Sequence, residues 1–210
     1  MKNPLHYQHT EFDCGPTSMI NALDFLFQRE EIPPEAIRNI MLYCLDCYGK
    51  EGRPCESGTS CMAMMFLANW LDGFGKTGRL PITTQYLSGE SVYITPDSRI
   101  VDALNRGGAV ILRLHYEVEH YVLLTGVKDD HVLMFDPYYE EELTEDTPDR
   151  ELITVDLEHP FSYNRIVPFS CFNRTNHDTY SLGEKDKREA VLLFNSKTAL
   201  TDEKTIEYFI

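Results

Sequence analysis

The sequence predicts an α+β fold, with N-terminal helices packed on an antiparallel β-sheet. Apolar residues recur at helical spacing through the N-terminal half, and after Gly107-Gly108 they gather into short runs rich in Val, Leu and Ile. Helices first and strands later indicate segregated layers, not an alternating parallel fold. At 210 residues and 42% hydrophobic content the chain can bury one core, so a single domain over 1–210 is expected.

Each element has a local reason. Pro16 suits a first helical turn, and Met19, Ile20, Leu23, Leu26 and Phe27 follow on one face. Pro33-Pro34 opens a second helix, with Ile37, Ile40, Met41, Cys44 and Leu45 on one side. Residues 60–71 read as a third, ended by Asp72-Gly73, and Thr95-Pro96-Asp97 begins a fourth, closed by Gly107-Gly108. Strands are expected over 109–114, 121–127, 132–135, 152–157 and 190–194. The acidic stretch 138–150 reads as a solvated loop, and 160–187 shows no clear period. There is no internal repeat or low-complexity tract.

Composition narrows the function classes. Thirty-four acidic against 19 basic residues give a formal charge of −15. Such a field repels nucleic acid and anionic membrane and favours neutral or cationic partners. No apolar run is long enough to cross a bilayer, and the N-terminus lacks the apolar stretch and cleavage site of a signal peptide. A cytoplasmic chain is therefore expected, with Cys14, Cys44, Cys47, Cys55, Cys61 and Cys171 reduced. In that setting the acceptor-like Asn173-Arg174-Thr175 carries no meaning.

Three short stretches carry chemistry. In Gln8-His9-Thr10-Glu11-Phe12-Asp13-Cys14-Gly15-Pro16, Cys14 stands at the start of the first helix, where unpaired amides and the helix dipole stabilise negative charge. Gly15 leaves room for a substrate carbonyl beside the backbone. A small buried cysteine is the plain alternative. His120 opens one strand and Asp136-Pro137 ends the next, so the two runs should form a hairpin. A three-residue loop, or a bulge, places His120 and Asp136 on one face; a two-residue loop without a bulge sends them to opposite faces. A carboxylate on one imidazole nitrogen fixes the tautomer and frees the other nitrogen for a thiol. Alternatively, His120 starts a strand and Asp136-Pro137 stops one.

Together these stretches, with His120-Tyr121-Val122-Leu123 and Phe135-Asp136-Pro137-Tyr138, resemble the peptidase family that processes double-glycine leader peptides of bacteriocins, within the papain-like cysteine peptidase superfamily. The order Gln, Cys, His, Asp matches, as does the six-residue step from Gln8 to Cys14. The resemblance implies a papain-like fold and cleavage of a peptide or amide bond through a thioester. It implies Cys14 as nucleophile, His120 as base then acid, Asp136 orienting His120, and Gln8 donating to the oxyanion beside the Cys14 N–H. No cofactor is implied. The segment bearing Cys44, Cys47, Cys55 and Cys61 has no counterpart in the resemblance, and the chain has no P-loop.

Other features have weaker claims. Cys44-Leu45-Asp46-Cys47 with Cys55 and Cys61 admits zinc or a disulfide, but buried core thiols are favoured. His115-Tyr116-Glu117-Val118-Glu119-His120 lies on a strand and is not the helical metalloprotease motif. His115 is read as a rim or core residue and His131 as surface. Met62, Met64, Met65, Phe66 and Trp70 are assigned to the core, with an apolar groove as the alternative. Glu140, Glu141, Glu142, Glu145 and Asp146 are read as solvated, and a weaker reading has them attract cationic peptide residues. An acyltransferase or amidase acting on a small molecule would use the same triad, and a non-catalytic binding module is a third possibility.

Overall fold

A computed structural model describes residues 1–145 and 147–200. In chain order these form α1 (Cys14–Leu26), α2 (Pro34–Tyr43), α3 (Cys61–Lys76), β1 (Ile82–Ser88), α4 (Arg99–Asn105), β2 (Ala109–Tyr116), β3 (Val118–Lys128), β4 (His131–Phe135), β5 (Thr154–Val155), β6 (Arg165–Pro168), α5 (Phe169–Phe172) and β7 (Glu189–Asn195). The seven strands make one sheet in the order β1-β7-β2-β3-β4-β6-β5, every pairing antiparallel. The fold is α+β, with the N-terminal helices on an antiparallel sheet.

Both faces of the central strands are buried, which is why their sequences read as continuous apolar runs. Ala109, Ile111, Tyr121 and Leu123 join α1, α2 and α3 in one core. Val110, Leu112, Val122 and Leu124 join α4 and the C-terminal segments in a second. Side chains alternating across β2 and β3 thus split two cores between the two faces of one sheet.

Several boundaries differ from expectation. Gly73 does not end the third helix, which continues to Lys76. Asp72 pairs with Lys76 one turn on (2.6 Å) and Trp70 stacks on Phe74, so the last turn is supported on its own surface. Gly75 lies so close to the Ile82 carbonyl that a Cβ would stand 1.9 Å from the oxygen. On α2 the burial falls to Ala36, Ile40 and the following Cys44, while Met41 is exposed and Ile37 and Leu45 are half-buried. The fourth helix starts at Arg99, where the Ser98 hydroxyl caps it by accepting from the Val101 N–H. Strand 152–157 shrinks to Thr154–Val155. β1 is an edge strand that buries only Ile82 and Leu87, so no alternation marked it. β6 falls in the stretch where no period was legible.

The β3–β4 hairpin sets up the site. Its turn holds only Asp129 and Asp130, since Lys128 pairs with His131. The register then shifts: Gly126 faces Leu133 but Leu124 faces Met134, leaving Thr125 as the extra residue of a bulge. The bulge returns His120 and Asp136 to one face, two positions from direct opposition.

Candidate active site

Cys14 is the first residue of α1, and the end of that helix is left open. Asp13 occupies the N-cap without capping. Its carboxylate turns back to accept from the N–H groups of His9 and Thr10 (3.0 and 2.7 Å) and from the Thr10 hydroxyl. The first intrahelical acceptor is the Asp13 carbonyl, which takes the Thr17 N–H. Among the described residues no acceptor takes the N–H of Cys14 or Gly15. Two donors therefore stand beside the sulfur at the positive end of a helix.

Gly15 is small for a reason other than substrate approach. A Cβ there would lie 2.2 Å from Thr59 Oγ1, so the end of the 44–60 segment is seated directly on the helix start. Thr59 in turn donates to the buried Cys44 sulfur (3.6 Å).

On β3, His120 Nε2 lies 2.7 Å from Asp136 Oδ1, with both groups buried. This contact leaves Nδ1 as the nitrogen available to a thiol. Burial alone would lower the His120 pKa. The charge and hydrogen bond of Asp136, helped by the Cys14 thiol on the other side, raise it to about 10. Burial likewise pushes Asp136 up, but the His120 charge and bond, then Arg165 and the Tyr138 N–H, hold it below its ordinary value.

Asp136 is held on every side. Oδ1 also accepts from the Tyr138 N–H (2.9 Å), and Oδ2 accepts from the Tyr180 hydroxyl (2.9 Å). Asn164 grips the backbone, its Oδ1 accepting the Asp136 N–H and its Nδ2 donating to the Asp136 carbonyl (2.8 Å each). Fully buried Arg165 follows Asn164. Asn164, Arg165 and Tyr180 were not singled out from the sequence, because the aperiodic 160–187 stretch carries all three.

Gln8 is anchored next door, its N–H donating to the Pro137 carbonyl (2.9 Å). Its side-chain amide donates to the Thr10 carbonyl (2.8 Å), and its Oε1 is buried without a partner among the described residues. Gln8 makes no hydrogen bond to Cys14, His120 or Asp136.

A cleft of about 1040 Å³ opens over Cys14 and Tyr121. The segment 49–59 forms one wall, and Arg113, His115, Glu117 and Glu119 form the other. His120, at 5% exposure, lies beneath the wall and does not line it. The expected rim position of His115 holds, and its ring stacks on His177. His131 is half-exposed beside Asp130.

The remaining cysteines divide differently from expectation. Cys44 and Cys171 are buried thiols, but Cys47 is only half-buried and Cys55 and Cys61 are exposed. All are free, and no three potential ligands converge on a metal position among the described residues. Met64 is in the core, whereas Met62 and Phe66 are exposed. In the acidic loop, Glu140 accepts from the Tyr116 hydroxyl and Leu143 is buried; Asp146 lies outside the described residues. No helix among the described residues is long and apolar enough to cross a membrane.

Comparison with known proteins adds the ancestry. No curated protein matches the chain. Among solved structures it is similar to the peptidase domain of Streptococcus ComA, described as a bi-functional ABC transporter involved in a quorum-sensing pathway. The identity is 13% and the TM-score 0.44, over 91% of this chain and 97% of that one. The profile of the Peptidase_C39 like family matches residues 2–166, more than three-quarters of the sequence, and the chain belongs to that family of cysteine-peptidase type.

Proposed function

We propose that the chain is a single-domain thiol peptidase that cleaves a peptide or amide bond through a thioester on Cys14. One observation carries this reading: a buried His120–Asp136 pair stands behind a cysteine at an uncapped helix start, at the floor of an open cleft. In the forward step the Cys14 sulfur, its proton held by His120, attacks the substrate carbonyl. Negative charge on the carbonyl oxygen falls to the free N–H groups of Cys14 and Gly15. Gln8 adds a donor once its amide turns from Thr10, and one such donor is typically worth about 3 kcal/mol. His120 then protonates the departing amine, and water, activated by the same imidazole, releases the acid. Asp136 keeps the ring in the required tautomer throughout.

The cleft is at the upper end of the usual volume for ligand pockets, roughly 300–1,000 Å³, which suits an extended peptide segment. The experiment is mass-spectrometric turnover of a mixed peptide library by wild type and Cys14→Ala, with and without an added amine. Hydrolytic products that Cys14→Ala abolishes are expected. Products captured mainly by the amine would assign an acyltransferase, and no Cys14-dependent product would assign a binding role.

A further inference from the structure

We propose that Arg165 is a positioning residue of this site, its buried guanidinium supplying, through Tyr180 and Asp136, the second positive charge the reacting centre needs. The inference rests on the roles given above to Cys14, His120 and Asp136.

Arg165 is fully buried, yet no carboxylate lies within ion-pairing distance of it among the described residues. Two of its nitrogens donate to backbone carbonyls, Nη1 to Asn164 (3.0 Å) and Nη2 to Glu140 (3.3 Å). The third, Nε, is buried without a hydrogen-bond partner among the described residues. The Glu140 carboxylate is occupied by the Tyr116 hydroxyl. The guanidinium charge acts on Asp136, helping to hold it below its ordinary value, and on Tyr180, whose hydroxyl donates to Asp136 Oδ2. A buried guanidinium without a direct countercharge is costly to keep, so its presence calls for an anion that it serves.

Charge counting identifies that anion. With His120 protonated and the sulfur ionised for attack, the centre holds two negative groups, the Cys14 sulfur and the Asp136 carboxylate, and one imidazolium. In a poorly solvated site one cation does not balance two anions. Arg165 brings the sum to zero. Without it, the centre relieves its excess negative charge by binding a proton, on the sulfur or on Asp136. Either outcome reduces the population of reactive sulfur at neutral pH.

Tyr180 is built to hold the link. It adopts φ +63°, which non-glycine residues seldom adopt. Paired backbone bonds to β2 fix it: the Tyr180 N–H donates to the His115 carbonyl (2.7 Å), and the His115 N–H to Ser181 (2.8 Å).

The test is the rate of Cys14 alkylation by iodoacetamide, read by mass spectrometry from pH 5 to 10 on the full chain. Wild type is expected to show an acid limb that His120→Ala removes. Arg165→Met should move that limb to higher pH by about one unit, the lower end for loss of a nearby charge. Arg165→Lys should restore most of the wild-type profile, and Tyr180→Phe should shift it less, in the same direction. A folded Arg165→Met protein with an unmoved limb would make Arg165 a structural tie between β6 and the Glu140 loop and overturn the inference. Should Arg165→Met not fold, Tyr180→Phe decides: a shift upholds the link, and a profile superimposed on wild type refutes it. A wild-type profile with no His120-dependent limb would remove the site itself, and this inference with it.

Discussion

His120 and Asp136 bind their proton and charge differently in the folded and unfolded chain, and stability must follow pH accordingly. The His120 pKa rises from 6.5 to about 10 on folding. Its contribution is therefore complete below about pH 6.5 and is lost as the pH climbs through about 10. The folded Asp136 pKa is depressed, so its contribution is present above about pH 3.9 and is lost as pH falls through the folded value. Thermal unfolding of wild type and His120→Gln across pH 6–10.5 checks the upper side: the wild-type advantage should shrink steadily, and a constant gap would contradict the pairing. A second residue-scale prediction concerns Gly15. Gly15→Ala drives a methyl group into Thr59 and should cost about 1–3 kcal/mol, as overpacking does. Thr59→Ala should relieve only part of that, because the Thr59 Cβ alone would still be 2.7 Å away. Denaturant midpoints of Gly15→Ala, Thr59→Ala and the double variant measure both effects.

At the scale of elements, the β3–β4 hairpin depends on one surplus residue. With a two-residue turn, straight pairing would put His120 and Asp136 on opposite faces, and Thr125 corrects it. Deleting Thr125 should leave the turn intact and uncouple the pair. The expected fall in peptide turnover is at least a hundredfold, the lower range for a positioned base, with near-native circular dichroism. Full activity in that variant would mean the bulge is incidental. The sequence allowed a bulge or an odd loop without choosing between them, since pairing sums count residues and cannot see where the ladder slips. The first two helix starts were legible because Pro16 and Pro34 act locally; the fourth was expected at Thr95-Pro96-Asp97 but begins only at Arg99, behind the Ser98 cap. The end of α3 was not, because Gly73 is held in the helix by contacts of Trp70, Phe74 and Lys76 along its surface. β1 and β6 escaped for different reasons: β1 buries only Ile82 and Leu87, whereas β6 alternates over only four residues and fills one buried position with the charged Arg165.

Across the whole molecule, one sheet with two buried faces joins parts of the chain that share no local signal. Cys14, His120 and Asp136 could each be picked out by their distinctive neighbours; Cys14 starts α1 and Asp136 follows β4, whereas His120 lies inside β3, two residues past its start at Val118. Asn164, Arg165 and Tyr180 could not, because the 160–187 stretch has little regular structure and its residues reach Asp136 only through tertiary packing. The same packing distributes the six thiols unequally. Burial pushes Cys44 up to about 12 and raises Cys171, and burial beside Asp46 raises Cys47. Cys55 and Cys61 are open to solvent, whereas Cys14 is only 6% exposed. Accessibility by itself would make the exposed pair react first. The most direct measurement is therefore competitive alkylation of all six cysteines at pH 6, in wild type and in His120→Ala. Cys14 should be modified fastest despite its burial, and the substitution should abolish that lead. Faster modification of Cys55 and Cys61, or a Cys14 rate indifferent to His120, would contradict the account.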